Sequence, residues 1–127
     1  MQELHLFEYA VIRVVPRVER EEFLNVGVIV YCARKKYLKA AYALNGERLN
    51  AFSASLDIPE IKAHLESLML ICAGGKSSGS IGQLDPPSRF RWLTAMRSTV
   101  IQTSRVHPGF CSDPDLKLEF LLKEQVY

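Results

Sequence analysis

The sequence predicts one α+β domain spanning 1–127, a single domain built as a mostly antiparallel sheet of about four strands packed with two or three helices. Three observations carry that reading. Strand-like runs of β-branched and aromatic residues fill the first third, cap-plus-proline helix starts lie at Asp57 and Asp113, and 48% of the 127 residues are hydrophobic. A chain of this length and composition buries one core and is too short for two ordinary domains.

The first strand runs from Phe7 to Val15, with Phe7, Tyr9, Val11 and Val15 on one face and Ala10, Ile12 and Val14 on the other. Both faces are apolar, which places this strand in the interior of the sheet. Pro16 withdraws a backbone donor, and Arg17 to Glu22 reads as a solvated connection or a short helical turn. The second strand, Val26 to Cys32, sets Val26, Val28, Val30 and Cys32 against Gly27, Ile29 and Tyr31. A glycine inside a strand marks a bulge or a close approach by another backbone or a ligand. Arg34, Lys35 and Lys36 then form the tip of a hairpin whose return strand, Tyr37 to Leu44, pairs antiparallel.

Asn45-Gly46 is a turn signal, followed by a short helix over Glu47 to Ser55 with Leu49 and Phe52 inward. The clearest helix comes next. Asp57 caps it, Glu60 completes a capping box and Pro59 sits in the first turn, while Ile58, Ile61, Leu65, Leu68, Met69 and Cys72 share one face. Gly74-Gly75 stops it. Residues 74–88 hold four of the seven glycines and two of the six prolines, the composition of a mobile surface loop. Arg89 to Met96 reads as a short helix carrying Phe90, Trp92 and Leu93, and Thr99 to Thr103 as a fourth strand. Asp113-Pro114 opens a C-terminal helix whose Leu116, Leu118, Phe120, Leu121 and Leu122 pack on the sheet.

A formal charge of +2 is too small to attract nucleic acid in bulk, so a basic footprint has to be local. No run approaches the roughly 18 apolar residues of a membrane helix, and Met1 to His5 lacks the regions of a signal peptide. The expectation is a cytoplasmic protein with no membrane segment. Cys32, Cys72 and Cys111 are odd in number and far apart, which predicts reduced, buried thiols.

Gly75-Lys76-Ser77 imitates the end of a phosphate-binding loop, but the first glycine of that motif falls at Leu70 and the preceding element is a helix. His107 and Cys111 supply two ligand types and no second pair, so no metal and no cofactor are expected. Arg89 and Trp92, amid Phe90, Arg91, Arg97 and Arg105, form a candidate interaction surface. A candidate ligand site gathers Arg13, Asn25, Arg97, Ser98 and His107. In it the arginines hold an anion, Asn25 and Ser98 orient it, and His107 gives or takes a proton. No catalytic triad or Cys-His spacing emerges, so the sequence leans away from an enzyme.

The chain also resembles the bacterial family termed Domain of Unknown Function 3037. The resemblance rests on Tyr9-Ala10-Val11-Ile12-Arg13, on Glu22-Phe23-Leu24-Asn25-Val26-Gly27-Val28, on Arg89-Phe90-Arg91-Trp92-Leu93, on Arg97-Ser98-Thr99-Val100 and on Val106-His107-Pro108-Gly109, with Asp113-Pro114 following. It departs at Met96, where that pattern commonly carries a proline. The resemblance implies no established activity, cofactor or catalytic residue, but it implies a gene neighbourhood shared with a HipA-like kinase. The leading expectation is a non-enzymatic accessory or protein-binding module acting with such a kinase or another protein partner. The alternatives are a small enzyme or nucleotide- and anion-binding protein using Arg97, Ser98 and His107, and a nucleic-acid-binding module using Arg34, Lys35, Lys36 and the later arginines.

Overall fold

The computed structural model describes residues 3–95 and 99–127, apart from the side chain of residue 77. Its frame is a five-stranded antiparallel sheet. The central strand is β1, His5–Val14, followed by a 3-10 turn at Val18–Arg20. Next come β2, Leu24–Cys32, and β3, Tyr37–Tyr42, in the spatial order β3-β2-β1. The other edge of β1 is shared by two short strands lying end to end, β4 at Ile101–Thr103 and β5 at His107–Cys111.

Strand β1 is buried on both faces because both are apolar, as its composition requires. Its partner β2 is not a simple alternation. Ile12 pairs with Gly27 and Arg13 with Asn25, so Val26 is the extra residue of a β-bulge. The bulge moves Val26 to the face of Ile12 and Ile29, while Val28, Val30 and Cys32 stay on the opposite face. The expected grouping of all four on one face is corrected by that slip. Gly27 is obligatory there, since a Cβ would lie 2.6 Å from the Ala41 carbonyl oxygen.

Three helices cover one face of the sheet. They are α1, Gly46–Phe52, capped by Asn45, α2, Ile58–Ala73, and α4, Pro86–Leu93. Asp57 caps α2 by accepting from the Glu60 amide at 3.1 Å. The Glu60 carboxylate lies 3.9 Å from His64. Leu49, Ile61, Leu65, Leu68, Cys72, Phe90 and Leu93 meet Ile12, Val14, Ile29 and Ala40 in the larger core. Helix α5, Pro114–Gln125, takes the other face and closes a smaller core of Phe7, Val28, Val30, Cys32, Cys111, Leu118 and Leu121. All three cysteines are free and buried.

Two segments differ from expectation. The segment 74–88 is not a continuous loop: it holds a 3-10 turn at Lys76–Ser78, the single-turn helix α3 at Gly79–Gly82, and the start of α4. Asp85 is the N-cap, accepting from the Ser88 amide at 3.0 Å, so α4 begins three residues earlier than its aromatic residues indicate. Strand β5 was hidden by Pro108-Gly109, which reads as a turn.

The joint between β4 and β5 is Ser104. Its amide donates to the Val11 carbonyl at 2.8 Å, and its Oγ accepts from the Val11 amide at 2.8 Å, so a side chain replaces one rung of the ladder. Among the described residues, no helix is long and apolar enough to cross a membrane.

Candidate functional site

Helix α5 is fixed at both ends. At its start Asp113 accepts from the amides of Asp115 and Leu116, and the Tyr37 hydroxyl donates to Asp115 at 2.6 Å. At its end the Asn25 amide donates to the Gln125 carbonyl at 3.0 Å, and Arg48 donates to the Val126 carbonyl at 2.7 Å. Between these points the helix packs chiefly over β2 and β3. The stretch of sheet formed by β1, β5 and β4 on the same side is therefore only partly roofed.

Aromatic groups occupy this stretch. Phe7 lies across Gly109, where a Cβ would come within 2.7 Å of the ring, and it stacks with Tyr9 at 6.0 Å. Tyr9 in turn meets the imidazole of its cross-strand partner His107 at 5.2 Å. The Lys117 ammonium from α5 sits 5.8 Å from the Phe7 ring and 5.0 Å from the Phe120 ring, a cation placed between two π faces.

Where β5 turns into α5, the surface becomes apolar. Leu4, Phe110, Leu116 and Phe120 line an open groove of about 360 Å³ together with Ser112, Asp113 and Lys117. These four side chains are 51–65% exposed, and Leu6, paired with Phe110 across the strands, is 56% exposed. Leu118 and Leu121 already supply the buried stripe of α5, so Leu116 and Phe120 form a second stripe one turn apart that the fold does not use. A cluster of large apolar groups left in water is the mark of an association surface.

The strand edge beside this groove is protected. Because Val11 directs its amide and carbonyl to Ser104, the odd-numbered residues of β1 face this edge, and Tyr9, Phe7 and His5 bond their partners in β5. Pro108, opposite Glu8, therefore has its outward position without a donor, which discourages addition of another strand.

The residues singled out in the sequence fall at several places. Arg13 and Asn25 are cross-strand neighbours on the α5 side, and the Arg13 guanidinium lies 3.8 Å from the centre of the Phe23 ring. Burial lowers the pKa of Arg13 from its usual value. His107 pairs with Tyr9, four residues along β1 from Arg13, or about 13 Å by strand geometry. Arg97 and Ser98 lie outside the described residues.

Arg89 is not a surface residue. It is 9% exposed, and its guanidinium donates to the carbonyls of Leu84, Ile71 and Cys72 at 3.0, 2.8 and 2.6 Å, so it closes the C-terminal end of α2. Trp92 is 39% exposed and borders a separate apolar depression of about 340 Å³ with His64, Leu68, Ile71 and Ile101. Arg34, Lys35 and Lys36 stand exposed on the β2–β3 hairpin. Lys76 follows a helix and starts a 3-10 turn, unlike a phosphate-binding loop. His107 and Cys111 sit at opposite ends of β5, too far apart to share a metal. Among the described residues, no group of three or more His, Cys, Asp or Glu is placed to hold a metal ion.

The residues that sequence reasoning missed are Leu4, Phe23, Phe110 and the outward role of Leu116 and Phe120. The available signal was an excess of apolar positions in α5 beyond the one stripe a sheet-packed helix needs.

In the comparison with known proteins, a family model described as Protein of unknown function (DUF3037) matches residues 9–126. No curated protein and no solved structure matches.

Proposed function

The chain belongs to the DUF3037 family, and from that premise we propose that it is a non-enzymatic accessory module that binds another protein through the groove between β5 and α5. The observation that carries this reading is the group Leu4, Phe110, Leu116 and Phe120, four large apolar side chains each more than half exposed around one groove. Keeping them in water forgoes about 25 cal/mol for every Å² of apolar surface that a partner would cover. Lys117 and Asp113 at the margin give the polar rim of a protein interface.

The candidate partner we propose is a HipA-like kinase, the neighbour that the family resemblance implies, and the compartment we propose is the bacterial cytoplasm, consistent with three buried free thiols. The experiment is co-purification of the two proteins from the same host. A complex that survives with the wild-type chain and is lost with Phe110→Asp supports the proposal. Failure of the wild-type chain to associate, together with unchanged kinase output, counts against it.

A further inference from the structure

Arg13 stands at the far end of β1 from the apolar groove, in a setting that a surface arginine does not need. Its guanidinium is held against the Phe23 ring, 3.8 Å from the centroid, and its Nε is shut off from solvent with no hydrogen-bond partner. The Oδ1 of Asn25, its cross-strand neighbour, is likewise buried and unpartnered, because the Asn25 amide nitrogen is committed to Gln125. Buried polar atoms without partners are rare, and two on adjacent residues are a cost that the fold carries at one place.

The surroundings lack a counter-charge. Among the described residues no carboxylate pairs with Arg13: Glu19 and Glu22 are held by Arg17 and Arg20, at 3.0 and 2.5 Å. On its other flank Arg13 faces Gln102 of β4, whose amide nitrogen donates to the Thr99 carbonyl at 2.9 Å. One cation, fixed in plane by an aromatic ring and flanked by neutral amides, matches one negative charge spread over two oxygens.

We propose that Arg13, Phe23 and Asn25 form a binding site for a carboxylate group, which the two Nη nitrogens of Arg13 take end-on. The orphaned Nε is a donor and the orphaned Oδ1 of the cross-strand neighbour an acceptor, so the two are complementary to each other and the Nη nitrogens are left for the ligand. The planar fork of one guanidinium matches the two oxygens and single charge of a carboxylate. The site is independent of the groove at β5, so either assignment stands or falls without the other.

The test is a titration of the isotope-labelled full chain with sodium acetate against sodium chloride at equal ionic strength, read at the Arg13 Nε–H and Asn25 side-chain amide resonances. Acetate is expected to move both signals saturably, with chloride giving only a minor drift. Arg13→Gln is expected to lose the response, and Arg13→Lys to weaken it roughly five-fold or more, because a point charge replaces a planar fork. A blocked tripeptide centred on glutamate separates the sources. Tighter binding than acetate assigns the site to an acidic side chain of a polypeptide, and equal binding to a free small carboxylate. The proposal is overturned if chloride acts as strongly as acetate, if Arg13→Lys responds like the wild type, or if inorganic phosphate binds about tenfold more tightly than acetate. Phe110→Asp is expected to leave the titration unchanged, and its loss there would contradict the independence of the two sites.

Discussion

Arg89 and Gly74 are matched in shape: a Cβ on Gly74 would sit 2.8 Å from Nη1 of Arg89, the nitrogen that also holds the last carbonyls of α2. Gly74 has φ +77° and ψ −179°, a region that essentially only glycine occupies, so the residue meets two constraints at once. The expected outcome for Gly74→Ala is a loss of about 2–3 kcal/mol, measured by urea unfolding. In an Arg89→Met background the same change is expected to cost about 1 kcal/mol less, since the steric partner is gone while the backbone strain remains. Equal costs in the two backgrounds would show that the guanidinium does not define the space.

Ser104 is the second structural lever. Ser104→Ala removes the acceptor for the Val11 amide in a strand whose Val11 side chain is 5% exposed. A loss of about 1–3 kcal/mol is expected, the cost of leaving a buried donor unsatisfied. Hydrogen exchange at the Val11 amide should accelerate more than at Ala10 or Ile12. Unchanged exchange would mean that water takes the hydroxyl's place.

Cys72 supplies a pH prediction. Burial raises its thiol pKa from 9.0 to about 12, with Arg89 opposing the shift. The folded thiol therefore keeps its proton where the unfolded one has lost it, so the native state binds more protons between about pH 9 and pH 12. Stability is unaffected by this group below pH 9 and falls above it, by up to about 1.4 kcal/mol per pH unit. Urea midpoints of the wild type and Cys72→Ala across that window check it: the wild type should lose stability more steeply. Parallel curves would show that the thiol ionises normally in the fold.

Much of this architecture was legible in the residues. The two-sided apolar pattern of β1, the hairpin at Arg34 to Lys36, and the caps Asp57 and Asp113 each follow from local chemistry that tertiary packing reinforces. Gly27 marked a bulge, yet the residue displaced by it was Val26, because a slip of one residue reverses the face and sequence alternation does not record where the slip falls. Strand β5 escaped notice for a different reason. Pro108 is tolerated because its missing donor points away from β1, which depends on the register of Val11 against Ser104, 93 residues apart.

The candidate site was legible only in part. Arg13 and Asn25 are neighbours as the ligand-site reading requires, but His107 belongs to Tyr9 further along the strand. Arg89 shows why composition misleads: an arginine beside aromatic residues reads as a surface, and here three backbone carbonyls draw it inside. The exposed apolar stripe was invisible because Leu116 and Phe120 have the same chemistry as Leu118 and Leu121, and only the position of α5 over β2 and β3 separates them.

The most direct measurement is hydrogen exchange of the full chain alone and in the presence of a HipA-like kinase, the partner proposed above. The binding account expects slowed exchange across 107–111 and the first turns of α5, with Phe110→Asp weakening the complex at least tenfold, or about 1.4 kcal/mol. Absence of a complex, or protection confined to other elements with Phe110→Asp binding as the wild type does, would contradict it.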